Sequence, residues 1–159
     1  MHVIKILLLS LLVSSFPSHA TTLLYKSFND LVLESDGIFV GTVKDIKSIK
    51  SKNNELYTFV TINNLNVLDG KYEKKHITLR LQGGFIEGEG EYIHGSPRFN
   101  IGETVIVFME GNGKNIVPIV GWGQGLFVIK RDEKGNSIIK DSQNNSIYSI
   151  SDGYIDKEV

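Results

Sequence analysis

LQGGFIEGEGEYIHGSPRFNIGE (residues 81–103), MEGNGKN (109–115) and VGWGQGLFVI (120–129) belong to one stretch, Thr78 to Val128, whose reading decides the fold. Eleven of the sixteen glycines of the 159-residue chain fall between Gly83 and Gly125. Glycine at that density supplies tight turns, bulges and close backbone approach, which suits a small all-β barrel. Ile77, Leu79 and Leu81 alternate with Thr78 and Arg80, the period-two pattern of a half-buried strand. Val105 to Met109, Ile116 to Val120 and Leu126 to Ile129 read as further strands, with Gly111-Asn112-Gly113 as a hairpin turn. Gly83 to Glu103 lacks strong periodicity and reads as a long loop after the third strand.

Towards the N-terminus, Tyr57 to Leu68 is rich in Thr, Val, Ile, Phe and Tyr and predicts one long strand, ended by Asp69-Gly70. Both its faces carry apolar residues, as expected where a strand curls and serves two neighbours. Before it, Lys47 to Asn54 is polar and predicts a solvated hairpin connection. Ile38-Phe39-Val40-Gly41-Thr42-Val43 is a run of consecutive apolar residues, which predicts a strand covered on both sides. Gly41 within it predicts a bulge or a close helix contact. Ser27 can cap a short helix over Phe28 to Ser35, with Asp30 at N3 and Phe28, Leu31 and Val32 on one face; Asp36-Gly37 ends it. Towards the C-terminus, Glu133-Lys134-Gly135-Asn136 closes a hairpin with Ser137 to Lys140, and residues 142–159 read as a polar, poorly ordered tail.

The start of the chain has the pattern of an export signal. Lys5 is followed by the apolar run Ile6 to Val13, and Ser18-His19-Ala20 offers small residues to a signal peptidase. Eight residues span only about 12 Å as a helix, short of the roughly 30 Å hydrocarbon core. The expectation is a signal peptide over residues 1–20, a mature chain beginning at Thr21, and a secreted or periplasmic protein with no membrane span. The domain itself is expected over residues 21–141. The chain has no cysteine, so its fold rests on its core rather than on disulfides. Its formal net charge is −1, and loss of Lys5 makes the mature chain more acidic, which argues against nucleic acid as a partner.

One helix followed by five to seven short strands fits a small, mainly β, partly open barrel. An immunoglobulin-like sandwich is the competing architecture, but it prefers evenly spaced strands and a central Trp, whereas Trp122 lies among glycines. Ile38, Val40, Phe59, Leu79, Val107 and Phe127 are the expected core.

Little points to catalysis. Beyond the export segment the histidines are His76 and His94, too far apart for the close ligand spacing of a zinc site. No serine sits in a Gly-x-Ser-x-Gly setting, and Gly111-Asn112-Gly113-Lys114 lacks the rest of a phosphate loop. Glu87, Glu89 and Glu91 would share one face of an extended strand and attract a hard cation, but a solvated acidic loop explains them as well. No catalytic residue, metal site or cofactor is assigned. Phe85, Tyr92, Phe99 and Trp122 could instead give apolar contact area at one barrel end, with Arg98 as a hydrogen-bonding fork and Gln124 beside them, the composition of an interface hot spot. In the structural alternative, Phe99 and Trp122 plug the barrel end and Arg98 bonds loop carbonyls.

The order of landmarks is Ser35-Asp36-Gly37-Ile38-Phe39-Val40-Gly41-Thr42-Val43, Asn66-Val67-Leu68-Asp69-Gly70, Leu81-Gln82-Gly83-Gly84, His94-Gly95-Ser96-Pro97-Arg98-Phe99 and Val120-Gly121-Trp122-Gly123-Gln124-Gly125. Over Asp30 to Val128 the chain resembles a group of exported bacterial proteins, some associated with secreted metalloproteases. Its front half is similar to the OB-type barrel of tissue inhibitors of metalloproteases and netrin modules. The resemblance implies an OB-like barrel and, as partner, another exported protein such as a metalloprotease. Those inhibitors chelate the target's zinc through a disulfide-anchored N-terminal cysteine, which this chain lacks. The expected function is therefore a non-enzymatic protein-interaction module, with a metalloprotease inhibitor or companion as the alternative. An oligosaccharide-binding barrel and a small hydrolase are further, less favoured readings.

Overall fold

The computed structural model describes residues 23–158. The export segment, its cleavage point after Ala20 and the expected N-terminus at Thr21 lie outside the described residues. The chain opens on a short helix, α1 (Phe28–Glu34), as the sequence predicts. The Ser27 hydroxyl accepts from the Asp30 N–H at 3.1 Å, and the Asp30 carboxylate accepts from the Ser27 N–H at 2.9 Å, so two orphan donors are satisfied reciprocally. Leu31 is fully buried beneath it.

Nine strands follow: β1 (Gly37–Lys50), β2 (Leu56–Asp69), β3 (His76–Ile86), β4 (Glu89–Tyr92), β5 (Thr104–Met109), β6 (Leu126–Arg131), β7 (Ser137–Asp141), β8 (Ser146–Ser151) and β9 (Tyr154–Glu158). They form one antiparallel sheet in the order β4-β3-β2-β1-β5-β6-β7-β8-β9. The fold is mainly β and open, with one short N-terminal helix. Two loop contacts bring the far parts of the curled sheet together. Ile119 bridges to Met109 of β5, and the carbonyl of Ile116 accepts from the Gln82 N–H of β3 at 2.8 Å.

Alternation along the central strands feeds two cores. Phe39, Val107 and Leu126 point into one, with Val60, Ile62, Leu79 and Leu81. Their chain neighbours Ile38, Phe108 and Phe127 point into the other, against Leu31 of α1. In this second core Phe108 stands edge-on to both Phe28 and Phe127, at 5.7 and 5.9 Å between centroids. Being covered on both faces is what made 38–43 a continuous apolar run. Gly41 carries the predicted bulge, and its close contact is with β2 rather than with the helix. A Cβ there would lie 2.6 Å from Ile62 and 2.8 Å from the Asn63 carbonyl, and the β1–β2 register shifts between Val40 and Thr42.

Several expectations need correction. β1 runs through the polar residues to Lys50, so only 51–55 form the connection. Ile116 to Val120 is not a strand; it makes one bridge and enters a 3-10 turn (Val120–Gly123). Val40 and Phe59 are half-buried, because Val60 and Ile62 take the inward face of β2 and Phe59 the outward one. The interval 83–103 is no plain loop: β3 extends to Ile86 and turns at Glu87-Gly88 into β4. Finally, residues 142–158 of the expected tail are not a tail beyond the sheet, since β8 and β9 extend the sheet as a hairpin.

That extension uses one turn twice. In Asp132-Glu133-Lys134-Gly135-Asn136 and in Asp141-Ser142-Gln143-Asn144-Asn145, the Asp carboxylate accepts from the N–H groups two and four residues on. The fourth residue, Gly135 or Asn144, has positive φ. Asp141 also accepts from Lys157 of β9 at 3.0 Å, which ties the last strand back to β7. Burial pushes the Asp141 carboxyl up, but hydrogen bonds from Asn145, Lys157 and Gln143 outweigh it and hold it below the usual aspartate value. A carboxylate with a lowered folded pKa stabilises fully above about pH 4 and stops doing so as pH falls through that lowered value. Amide exchange in β8 and β9 should therefore accelerate below pH 4 relative to β1 and β2, and Asp141→Asn should reduce that difference, the rest coming from Asp156, whose carboxyl the Ser149 and Ser151 hydroxyls also hold below the usual aspartate value. Equal acid responses in the two proteins would contradict the role given to Asp141.

Candidate functional site

The bend at Gly83-Gly84 shapes the molecule's aromatic cleft. Ser48 of β1 and Thr58 of β2 face each other with hydroxyls 3.2 Å apart. Thr58 donates to the Gly83 carbonyl at 2.8 Å, and Ser48 accepts from the Phe85 N–H at 3.3 Å. The β3 backbone thus crosses directly over the two hydroxyls. A Cβ on Gly84 would lie 2.5 Å from the Thr58 oxygen and 2.6 Å from the Ser48 oxygen, and φ is +149°. Only glycine fits there.

Beyond the bend, the two-residue turn Glu87-Gly88, both at positive φ, returns the chain as β4. Phe85 and Tyr92 consequently stand side by side, ring centroids 4.7 Å apart and tilted by 53°. Arg98, from the following loop, lays its guanidinium over the Tyr92 ring at 4.9 Å. Phe85, Tyr92 and Arg98 are exposed, while Phe99 is half-buried against the first core. Together they line a cleft of about 320 Å³ between the ends of β1–β3 and the loop Ser96–Asn100. Four of the sequence candidates therefore converge.

Trp122 and Gln124 do not join them. Trp122 is half-buried and packs on the first core, with φ at +61°, a conformation few bulky side chains adopt. Pro97 reaches its turn, lying 3.4 Å from where a Cβ on Gly123 would stand, so the two loops do meet. Gln124 fastens the N-terminal segment: its carbonyl oxygen accepts from the Lys26 N–H and its amide donates to the Leu24 carbonyl, both at 2.8 Å. Arg98 makes its stacking contact with Tyr92; the sequence could not foresee this because the β3–β4 hairpin that brings Tyr92 there was unread.

Glu87, Glu89 and Glu91 are exposed, with Glu87 on the turn. Among the described residues no group of three His, Cys, Asp or Glu side chains is placed to hold a metal ion. Among the same residues, no helix is long and apolar enough to cross a membrane. No family model matches the chain, and no curated protein or solved structure matches it either.

The geometry separates two kinds of residue by stability. Trp122→Ala removes packing from the core and should destabilise by about 2 kcal/mol, the lower range for aromatic truncation because Trp122 is only half-buried. Arg98→Ala should stay within about 0.5 kcal/mol, as for other exposed positions. Denaturant titrations of both variants check this. A neutral Trp122→Ala would mean that its ring is free of the core.

Proposed function

We propose that this chain is an exported, non-enzymatic protein-interaction module that meets its partner through the cleft beside β4. One observation carries the reading. Two exposed aromatic rings and an arginine are already packed against one another around a concavity, so little conformational freedom remains to be lost on binding. Hot-spot chemistry favours aromatic residues and arginine held in this manner. The open, curled sheet, with β1 shared between β2 and β5, is compatible with an OB-like barrel, and the export reading rests on the N-terminal sequence.

A second reading, an inhibitor or companion of an exported metalloprotease, draws on the N-terminal segment, where the Leu23 side chain approaches Gly95 at the border of the cleft. Gln124 pins Leu24 and Lys26, and Leu23, Leu24 and Tyr25 are left exposed close to the expected N-terminus. A partner engaged there would touch this segment rather than the cleft.

Photo-crosslinking distinguishes the two. With p-benzoylphenylalanine in place of Tyr92, the protein should form an adduct with an exported protein of its own host, and Phe85→Ala should abolish the adduct without moving the melting temperature. The same probe in place of Tyr25 should give no adduct. Adducts from position 25 alone would favour the inhibitor reading, and adducts from neither position would overturn the module.

A further inference from the structure

We infer that the cleft recognises a carboxylate borne by an apolar or aromatic residue of an extended peptide, with Arg98 as the anion-binding group; this rests on the interaction reading above. Among the described residues, Arg98 is the only charged side chain lining the cleft, and no acidic one lines it. Stacking on Tyr92 occupies the face of the guanidinium and leaves its edge, which carries the N–H donors, without an acceptor among the described residues. A planar fork held by its face and unpaired at its edge is the arrangement that receives a carboxylate through two parallel hydrogen bonds.

The rest of the lining indicates what the carboxylate is attached to. Phe85 and Tyr92 are tilted by 53°, which forms a notch for an apolar side chain rather than a flat platform. Phe99 closes the notch from the core side. The Ser48 and Thr58 hydroxyls are committed to each other, to the Gly83 carbonyl and to the Phe85 N–H, which leaves Gln82, Ser96 and Asn100 as the polar side chains of the lining, fewer than an oligosaccharide of several units would engage. A volume of about 320 Å³ lies at the small end of ligand sites, matching one peptide residue with its carboxylate rather than a long ligand.

An NMR titration of the isotope-labelled full domain with small probes tests this. N-acetyl-phenylalanine, taken to about 50 mM to cover the millimolar affinity of a fragment, should saturably shift the Arg98 side-chain N–H and the Phe85 and Tyr92 rings. N-acetyl-phenylalaninamide, which lacks the charge, should bind about tenfold more weakly. Arg98→Ala should erase the preference for the acid, and Arg98→Lys should retain part of it, with thermal melts confirming that both variants fold. Equal binding of acid and amide, or no saturable shift at these residues, would overturn the proposal. Stronger binding of glucuronate than of N-acetyl-phenylalanine would also overturn it, in favour of an acidic sugar. If adducts persist at position 92 while the acid preference is absent, the cleft still meets a partner but does not read a carboxylate.

Discussion

β1 has a strand on each side and a core on each face, and the rest of the structure is arranged around that constraint. Its first half pairs with β2 and β5 together, so neither edge is free, and both faces are largely covered. Ile38 goes to the helix-covered core and Phe39 to the core inside the curl. Such a strand tolerates no spare volume, and Gly41 admits the β2 backbone where any Cβ would collide with Ile62 and Asn63. The bulge this creates sharpens the local twist. The curl that follows carries the far half of β1 towards the cleft, where Ser48 lies under β3. A small feature at the middle of one strand is therefore connected to the position of the site.

The cleft depends on a second close approach of the same kind. Gly84 lies directly above the Ser48 and Thr58 hydroxyls, and those hydroxyls satisfy the polar groups that the bend of β3 leaves unpaired. The bend and the tight turn after it orient Phe85 and Tyr92 to one side, and Tyr92 in turn holds Arg98. Each member is exposed and contributes little to the core. Their arrangement is thus fixed by backbone geometry, which leaves the side chains available for another molecule.

Much of the fold was legible because certain residues have few alternatives. Ser27 with Asp30 marked the helix start, the alternation Ile77-Leu79-Leu81 marked β3, and Asp69-Gly70 and Gly135 marked turns. The misreadings have physical causes. β2 is apolar on both faces, so periodicity could not tell whether Phe59 or Val60 points inward. The β3–β4 hairpin was hidden because glycines and glutamates replace the alternation that a half-buried strand would show. β8 and β9 set Ser, Asp, Lys and Glu among their apolar residues and expose most of their surface, so composition resembled a tail. A signal was nonetheless present there: the turn Asp132 to Asn136, read correctly as a hairpin, recurs in pattern at Asp141 to Asn145. Within the site, residue type and the expected barrel end grouped Arg98 and Phe99 with Phe85 and Tyr92, but they grouped Trp122 and Gln124 there as well. Those two instead anchor the core and the N-terminal segment, which no local pattern could distinguish.

The central claim is that the aromatic cleft is already formed in the free protein by the fold-back at Gly83-Gly84. Nuclear Overhauser contacts in the isolated, unliganded domain measure this directly. The account predicts cross-peaks between the Phe85 and Tyr92 rings, and between the Tyr92 ring and the Arg98 side chain, together with slow exchange of the Phe85 amide. Absent ring contacts, with β4 amides exchanging as freely as an unstructured chain, would contradict it.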